Sequence, residues 1–140
     1  MAGIEETIEV DVSTSEAYAQ WSRFDEYNQF VENVEQVQRQ GDMLHWVAKI
    51  GPSTSEWDAR IIADEPGRRL AWVAPEGPID TDIRFEALSP NRTRVIFRER
   101  MHDSFLASAL AATGLGDRRA RNDLERYKRR VETAMEAVQS

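Results

Sequence analysis

Ile4, Ile8, Val10 and Val12 occupy even positions with Glu5, Thr7, Glu9 and Asp11 between them, and this period of two predicts a strand with one buried face. Ser13 and Glu16 have the spacing of a capping box, after which Ala17, Tyr18 and Trp21 recur at helical intervals. A second amphipathic segment, FDEYNQF, makes a second short helix. From about residue 31 alternation returns. Val31, Val34 and Val37 precede a Gly41-Asp42 turn, and Leu44, Trp46, Ala48 and Ile50 alternate with His45, Val47 and Lys49, which predicts a hairpin. Beyond Gly51-Pro52, Trp57, Ala59, Ile61 and Ala63 alternate with Glu56, Asp58, Arg60 and Ile62, and Glu65-Pro66-Gly67 turns the chain into RLAWV. Ile79, Thr81, Ile83, Phe85 and Ala87 then oppose Asp80, Asp82, Arg84 and Glu86. After the SPNR turn, Val95, Phe97, Glu99 and Met101 oppose Arg94, Ile96, Arg98 and Arg100.

The pattern changes again past His102. Residues 103–113 form an alanine-rich helical stretch interrupted by Gly114 and Gly116, and residues 117 to about 138 form one long helix. Its apolar stripe runs through Ala120, Leu124, Tyr127, Val131, Ala134, Met135 and Val138. A strand, two small helices, six antiparallel strands and a long C-terminal helix make an α+β architecture with its helices on one face of the sheet. A curved sheet that grips a helix in this way is expected to enclose a cavity. No repeat, linker or low-complexity segment breaks the chain, and one domain is expected over residues 1–140.

Composition narrows the function. The chain has no cysteine and two histidines, His45 and His102, which excludes disulfides, thiol nucleophiles and a histidine-rich metal site. The net charge is -7, and residues 1–42 hold 10 of the 25 acidic residues against 2 of the 18 basic ones. That acidic front argues against nucleic acid, whose binding is driven by basic surface and counterion release. The interleaved acids and bases after residue 117 suit a salt-bridged helix face. The sequence has no apolar run long enough to span a bilayer, and MAGIEETIEV has neither the basic patch nor the apolar stretch of a signal peptide. The expected setting is the cytosol, without stable membrane insertion, as a monomer or homodimer.

The stretches IEVDVSTSEAYAQWSRFDEYNQF, HWVAKI, EWDARI, EPGRRLAWV and LERYKRRVE resemble the START-like polyketide cyclase/dehydrase family. This helix-grip superfamily (SRPBCC) also includes coenzyme Q-binding proteins and pollen-allergen-like ligand binders. The resemblance covers nearly the whole chain. It implies a helix-grip fold, a hydrophobic cavity between sheet and C-terminal helix, an apolar or polycyclic small-molecule ligand, and no cofactor. Aromatase/cyclase members of the family carry a Trp-x-Ser-x-Arg pattern on a pocket strand. Here the stretch reads Trp57, Asp58, Ala59, Arg60, Ile61, and only the Trp stays in phase.

Glu99 is the candidate for chemistry, because its strand phase puts it inward with Val95, Phe97 and Met101, where the family has an apolar residue. Desolvation of an inward carboxylate raises its pKa toward a proton-transfer role; the competing reading is a salt-bridged residue at the rim. Trp46, Trp57 and Trp72 share the apolar phase of neighbouring strands, suited to a flat ligand or to ordinary core packing. Thr81, Phe85, Phe97 and Met101 face the same interior, with Thr81 offering a hydroxyl. Tyr127 on the buried helix stripe either reaches the cavity or packs. Asp80, Asp82, Arg84, Glu86, Arg94, Arg98 and Arg100 form an outward charge ladder. Gly114-Leu115-Gly116 lacks the setting of a phosphate loop and marks a hinge, with residues 103–116 as a lid.

These features point first to cofactor-free cyclisation or dehydration of a polyketide-like substrate with Glu99 moving protons. The second reading is a noncatalytic lipid or isoprenoid-quinone carrier with a carboxylate-free cavity and Glu99 at the rim. A third is a ligand-gated partner presenting its acidic N-terminal half to a basic surface.

Overall fold

The computed structural model describes residues 3–50, 52–102 and 116–139. In chain order these form β1 (Gly3–Val10), α1 (Thr14–Ser22), a 3-10 helix (Phe24–Gln29), β2 (Val34–Gln40), β3 (Met43–Ile50), β4 (Ser53–Glu65), β5 (Arg69–Val73), β6 (Ile79–Ser89), β7 (Arg92–Met101) and α2 (Gly116–Gln139). The strands make one seven-stranded antiparallel sheet in the order β1-β7-β6-β5-β4-β3-β2. Every hairpin neighbour in sequence is a neighbour in space, and only β1 returns across the fold to pair with β7. Register shifts at Val34/Gln36, Ile61/Ala63 and Ala87/Ser89 interrupt the ladders. Such bulges bend and twist their strands, and the sheet curls around its inward face.

Local chemistry places the helices. The Ser13 side chain caps α1 by accepting from the Glu16 backbone N–H at 3.2 Å, which satisfies a donor the first turn leaves free. The α1 helix buries Ala17, Gln20 and Trp21, and the 3-10 helix buries Phe24 and Tyr27. Tyr27 Oη donates to the Trp21 carbonyl at 2.5 Å and Tyr127 Oη to the Ala17 carbonyl at 2.9 Å, so both phenols lock helix to helix. The α2 stripe is buried at Ala120, Leu124, Tyr127 and Val131. Ala134, expected on the same stripe, is exposed, because α2 runs past the packed sheet by then; Met135 and Val138 lie outside the described side chains. The lid and hinge expected over residues 103–115 also lie outside the described residues, and Gly116 is the first residue of α2.

The charge ladder forms across a wider set of strands than expected. Arg69 on β5 reaches Asp82 at 2.7 Å, Arg94 reaches Glu86 at 3.4 Å, and Arg98 and Arg92 reach Glu5 and Glu9 on β1 at 3.2 and 2.8 Å. Asp80 departs from it: its carboxylate accepts the Ala74 N–H at 2.8 Å. His102 Nε2 lies 2.8 Å from the same oxygen, so Asp80 braces the turn before β6.

Candidate functional site

The cross-strand register sets the site. On the inward face Ile4 of β1 stands opposite Glu99 of β7, Glu99 opposite Thr81 of β6, and Thr81 opposite Trp72 of β5. Two strands on, Trp46 of β3 is opposite Trp57 of β4. Above this surface lies a cavity of about 80 Å³, lined by all four tryptophans, by Thr81 and Phe97, and by Glu99, Arg119 and Asp123. The 31–34 turn and exposed Lys49 lie at its rim, and buried Pro78 lines it. Larger depressions of about 690 and 510 Å³ lie elsewhere; the second shares Trp72, Thr81 and Glu99 with this cavity, but only this cavity, of the three, is lined by the four tryptophans together with Glu99, Arg119 and Asp123.

The aromatic wall is a continuous stack. The Trp46 and Trp57 rings lie 6.0 Å apart and within 4° of parallel, Trp72 tilts against Trp46 at 5.7 Å, and Trp21 stacks on Phe97 at 5.6 Å. Gly77 makes room for Trp57: a Cβ there would sit 2.6 Å from Trp57 Cδ1, closer than packed atoms approach. The Trp46 Nε1–H is buried and has no acceptor, an unfavourable state for a polar group away from water.

The charged end of the cavity joins three elements. Arg119 on α2 donates from Nη2 to Glu99 Oε1 at 2.6 Å and from Nη1 to Asp123 Oδ2 at 2.8 Å. Asp123 also accepts the Glu32 backbone N–H at 2.9 Å and pairs with Arg126, whose Nε donates to the Phe30 carbonyl at 2.9 Å. Glu99, Arg119 and Asp123 are 7%, 7% and 3% exposed. Burial pushes the Glu99 carboxyl above its ordinary value against the opposing pull of Arg119. Burial pushes Asp123 up to about 6, again against Arg119, the Glu32 N–H and Arg126. Burial alone would lower Arg119, but the two carboxylates overcome it and hold the guanidinium above its ordinary value. The arrangement is therefore a buried acid–base–acid array whose acids both hold protons more tightly than in water.

Of the residues singled out from sequence, Trp46, Trp57, Trp72, Thr81, Phe97 and Glu99 line this one cavity. Glu99 is inward, buried and within β7, which runs on to Met101, so it does not sit at the rim; it is nonetheless salt-bridged, to Arg119. Phe85, Met101 and Tyr127 are not among the lining residues. Phe85 is buried edge-on against Tyr18 at 6.0 Å, Met101 is half-buried beside the core at the end of β7, and Tyr127 is engaged with the Ala17 carbonyl. Strand phase and helix stripe put Phe85 and Tyr127 in the core, and burial there does not by itself bring a side chain to the cavity. Arg119 and Asp123 escaped the sequence reading because it followed only the apolar stripe. Arg119, Asp123, Arg126 and Arg130 repeat one position before Ala120, Leu124, Tyr127 and Val131, and that matched period was the available signal. His45, expected outward, bridges Asp58 at 2.9 Å and Glu56 at 2.8 Å on β4; those bonds raise its pKa.

Among the described residues no helix is long and apolar enough to cross a membrane, and no cluster of His, Asp and Glu is arranged to hold a metal. Comparison with known proteins agrees with the architecture. An uncharacterised 17.2 kDa protein of Streptomyces lincolnensis, from the melC2-rnhH intergenic region, is 33% identical over 136 residues, covering 94% of this chain and 91% of its own. The Zhui aromatase/cyclase of Streptomyces sp. R1128 superposes with a TM-score of 0.72 at 16% identity, over 94% of this chain and 93% of that one. A START superfamily protein from Mycobacterium smegmatis superposes at 0.73 with 13% identity, over 94% and 98% of the two chains. Both structural likenesses speak to the helix-grip fold. Residues 10–128 match the family described as polyketide cyclase / dehydrase and lipid transport, and this chain belongs to that family.

Proposed function

We propose that the protein binds a hydrophobic polyketide-like molecule in its internal cavity and promotes its cyclisation and dehydration without a cofactor, with Glu99 as the proton-transfer residue. The observation that carries this reading is a carboxylate of raised pKa facing an aromatic-walled cavity, held by Arg119. The Glu99 carboxylate takes a proton from a methylene flanked by two carbonyls of the substrate. The resulting enolate carbon attacks a ketone carbon of the same chain and forms the ring C–C bond. The alkoxide left on that ketone takes the proton back from Glu99. Glu99 then takes the remaining proton from the carbon that attacked and delivers it to the new hydroxyl, so the C–O bond breaks, a C=C bond forms and water leaves. Protons balance, and no redox partner enters. Arg119 and Asp123 position the carboxyl and set its basicity, while Trp46, Trp57 and Trp72 hold the chain in a productive fold.

At about 80 Å³ the cavity is well below the roughly 300–1,000 Å³ of sites for drug-sized ligands. Binding a polycyclic product therefore requires the rim at residues 31–34 to move outward. The test is co-expression with a minimal polyketide synthase and profiling of the products. Wild type shifts them toward cyclised, dehydrated compounds, and Glu99→Gln abolishes the shift while circular dichroism shows a folded protein. Identical product profiles from wild type and Glu99→Gln would sink the assignment.

A noncatalytic lipid or quinone carrier is favoured by one observation. The segment Trp57 to Ile61 has no serine, and Asp58 and Arg60 are exposed rather than facing the pocket. Native mass spectrometry of freshly purified protein, with organic extraction, separates the readings: a near-stoichiometric quinone or phospholipid supports the carrier.

A further inference from the structure

We infer that the Glu99–Arg119–Asp123 array acts as a charge filter, admitting neutral ring compounds that carry a hydroxyl and rejecting anionic ligands such as carboxylates. The inference deepens the cavity reading above by naming the ligand's charge and polar groups, and it rests on ligand entry into that cavity. It does not depend on turnover.

Two carboxylates and one guanidinium line the cavity, and each is nine-tenths or more buried. Arg119 Nη1 and Nη2 already donate to Asp123 and Glu99. Arg126, the one further cation against Asp123, lies behind the lining, with Nη2 bonded to Asp123 and Nε to the Phe30 carbonyl. On the other elements that pack here, the 31–34 turn brings exposed Glu32 and β3 brings exposed Lys49 to the rim, and these two opposite charges balance. An entering carboxylate thus meets two acids against one guanidinium, whose two arms are each already bonded to one of them. It would lose its hydration without gaining an unpaired counter-charge, an unfavourable arrangement for a buried ion.

A neutral hydroxyl fares differently, since a carboxyl group keeps an acceptor oxygen for an O–H whether or not it is ionised. The second, independent feature is Trp46: its buried Nε1–H has no acceptor, while its ring forms the cavity wall beside Trp57. The indole N–H lies in the plane of its ring, so an oxygen on a flat ligand that meets the edge of Trp46 at that wall can satisfy it. The site therefore asks for an oxygen acceptor at the tryptophan wall and a donor at Glu99, both on an uncharged ring system.

The test uses 2-naphthol and 2-naphthoate, which share a ring and differ in the polar group, titrated calorimetrically into the full-length protein at about pH 7. The expected result is at least about tenfold tighter binding of 2-naphthol, the scale of one unfavourable charge contact in a partly screened interior. Removing one negative charge should relax the filter. Glu99→Gln and, independently, Asp123→Asn are expected to raise 2-naphthoate affinity several-fold, a gain that simple damage to the fold does not produce. Having two variants keeps the test decisive if one of them misfolds. Equal binding of the two probes to wild type, no binding of 2-naphthol, or an unchanged preference in the folded variants overturns the inference. A strong preference without any cyclisation leaves the filter standing and removes the enzymatic reading; cyclisation with no preference does the reverse.

Discussion

Gly77 shows how much of the cavity depends on one missing methyl group. A Cβ there would lie 2.6 Å from Trp57 Cδ1, 3.0 Å from Trp57 Cγ and 2.9 Å from Ala74 Cβ, and the Trp57 ring is parallel to that of Trp46 in the cavity wall. Any shift of the indole therefore reshapes that wall. Gly77→Ala is therefore expected to destabilise the fold by roughly 1–3 kcal/mol, the usual effect of overpacking, and to weaken ligand binding more than that loss explains. Denaturant midpoints and a titration with 2-naphthol on the same preparation check it; unchanged stability with unchanged binding would show that Trp57 has slack the contacts do not reveal. Glu99 is the opposite case at this scale. Its side chain is engaged by Arg119 at 2.6 Å, so a change there alters charge before it alters shape. That is why Glu99→Gln serves as the chemical probe and Gly77→Ala as the steric one.

At the scale of elements, the site is a clasp of β7, α2 and the turn after the 3-10 helix, made by Glu99, Arg119, Asp123 and the Glu32 N–H. Removing Arg119 leaves two buried carboxylates without their shared cation, so Arg119→Met is expected to lower stability by about 3–5 kcal/mol. The triple replacement Glu99→Leu, Arg119→Met, Asp123→Leu should recover most of that loss, because apolar packing replaces a buried ion group at little or no cost. Urea unfolding of both proteins tests the pair. A triple variant as unstable as Arg119→Met would mean the clasp contributes more than charge compensation. The strands of this clasp were legible in the sequence: period-two alternation placed Thr81 and Glu99 on the inward face, and their register made them neighbours. The α2 half was not legible, because charged residues on a helix are ordinarily solvated, and only the sheet's curvature carries Arg119 and Asp123 over the cavity. Phe85, Met101 and Tyr127 mark the same boundary. Periodicity tells which face of an element a side chain takes but not which part of the core it reaches.

For the whole molecule, the buried acids set how stability answers pH. Asp123 titrates at about 6 in the fold against an ordinary value of 3.8, and Glu99 is displaced in the same direction from 4.5. A folded pKa above the unfolded one means that the native state binds the proton more tightly. The Asp123 contribution is then fully present below about 3.8 and is lost as pH rises through about 6. Surface acids oppose it: hydrogen bonds from Arg92 and Arg130 hold Glu9 and Glu26 below their ordinary 4.5. Their contribution is present above that value and is lost as pH falls further, so total stability mixes both signs. The comparison that isolates the site is wild type against Asp123→Asn. Between about pH 7 and pH 4 the stability difference should move in favour of wild type by on the order of 2–3 kcal/mol, following the size of the Asp123 displacement. Urea midpoints across that window measure it, and parallel curves for the two proteins would contradict it. Near neutrality the molecule keeps Asp123 mostly ionised at the expense of its own stability. A fold selected only for rigidity has no reason to accept that loss, whereas a cavity that must sort ligands by charge or move a proton does.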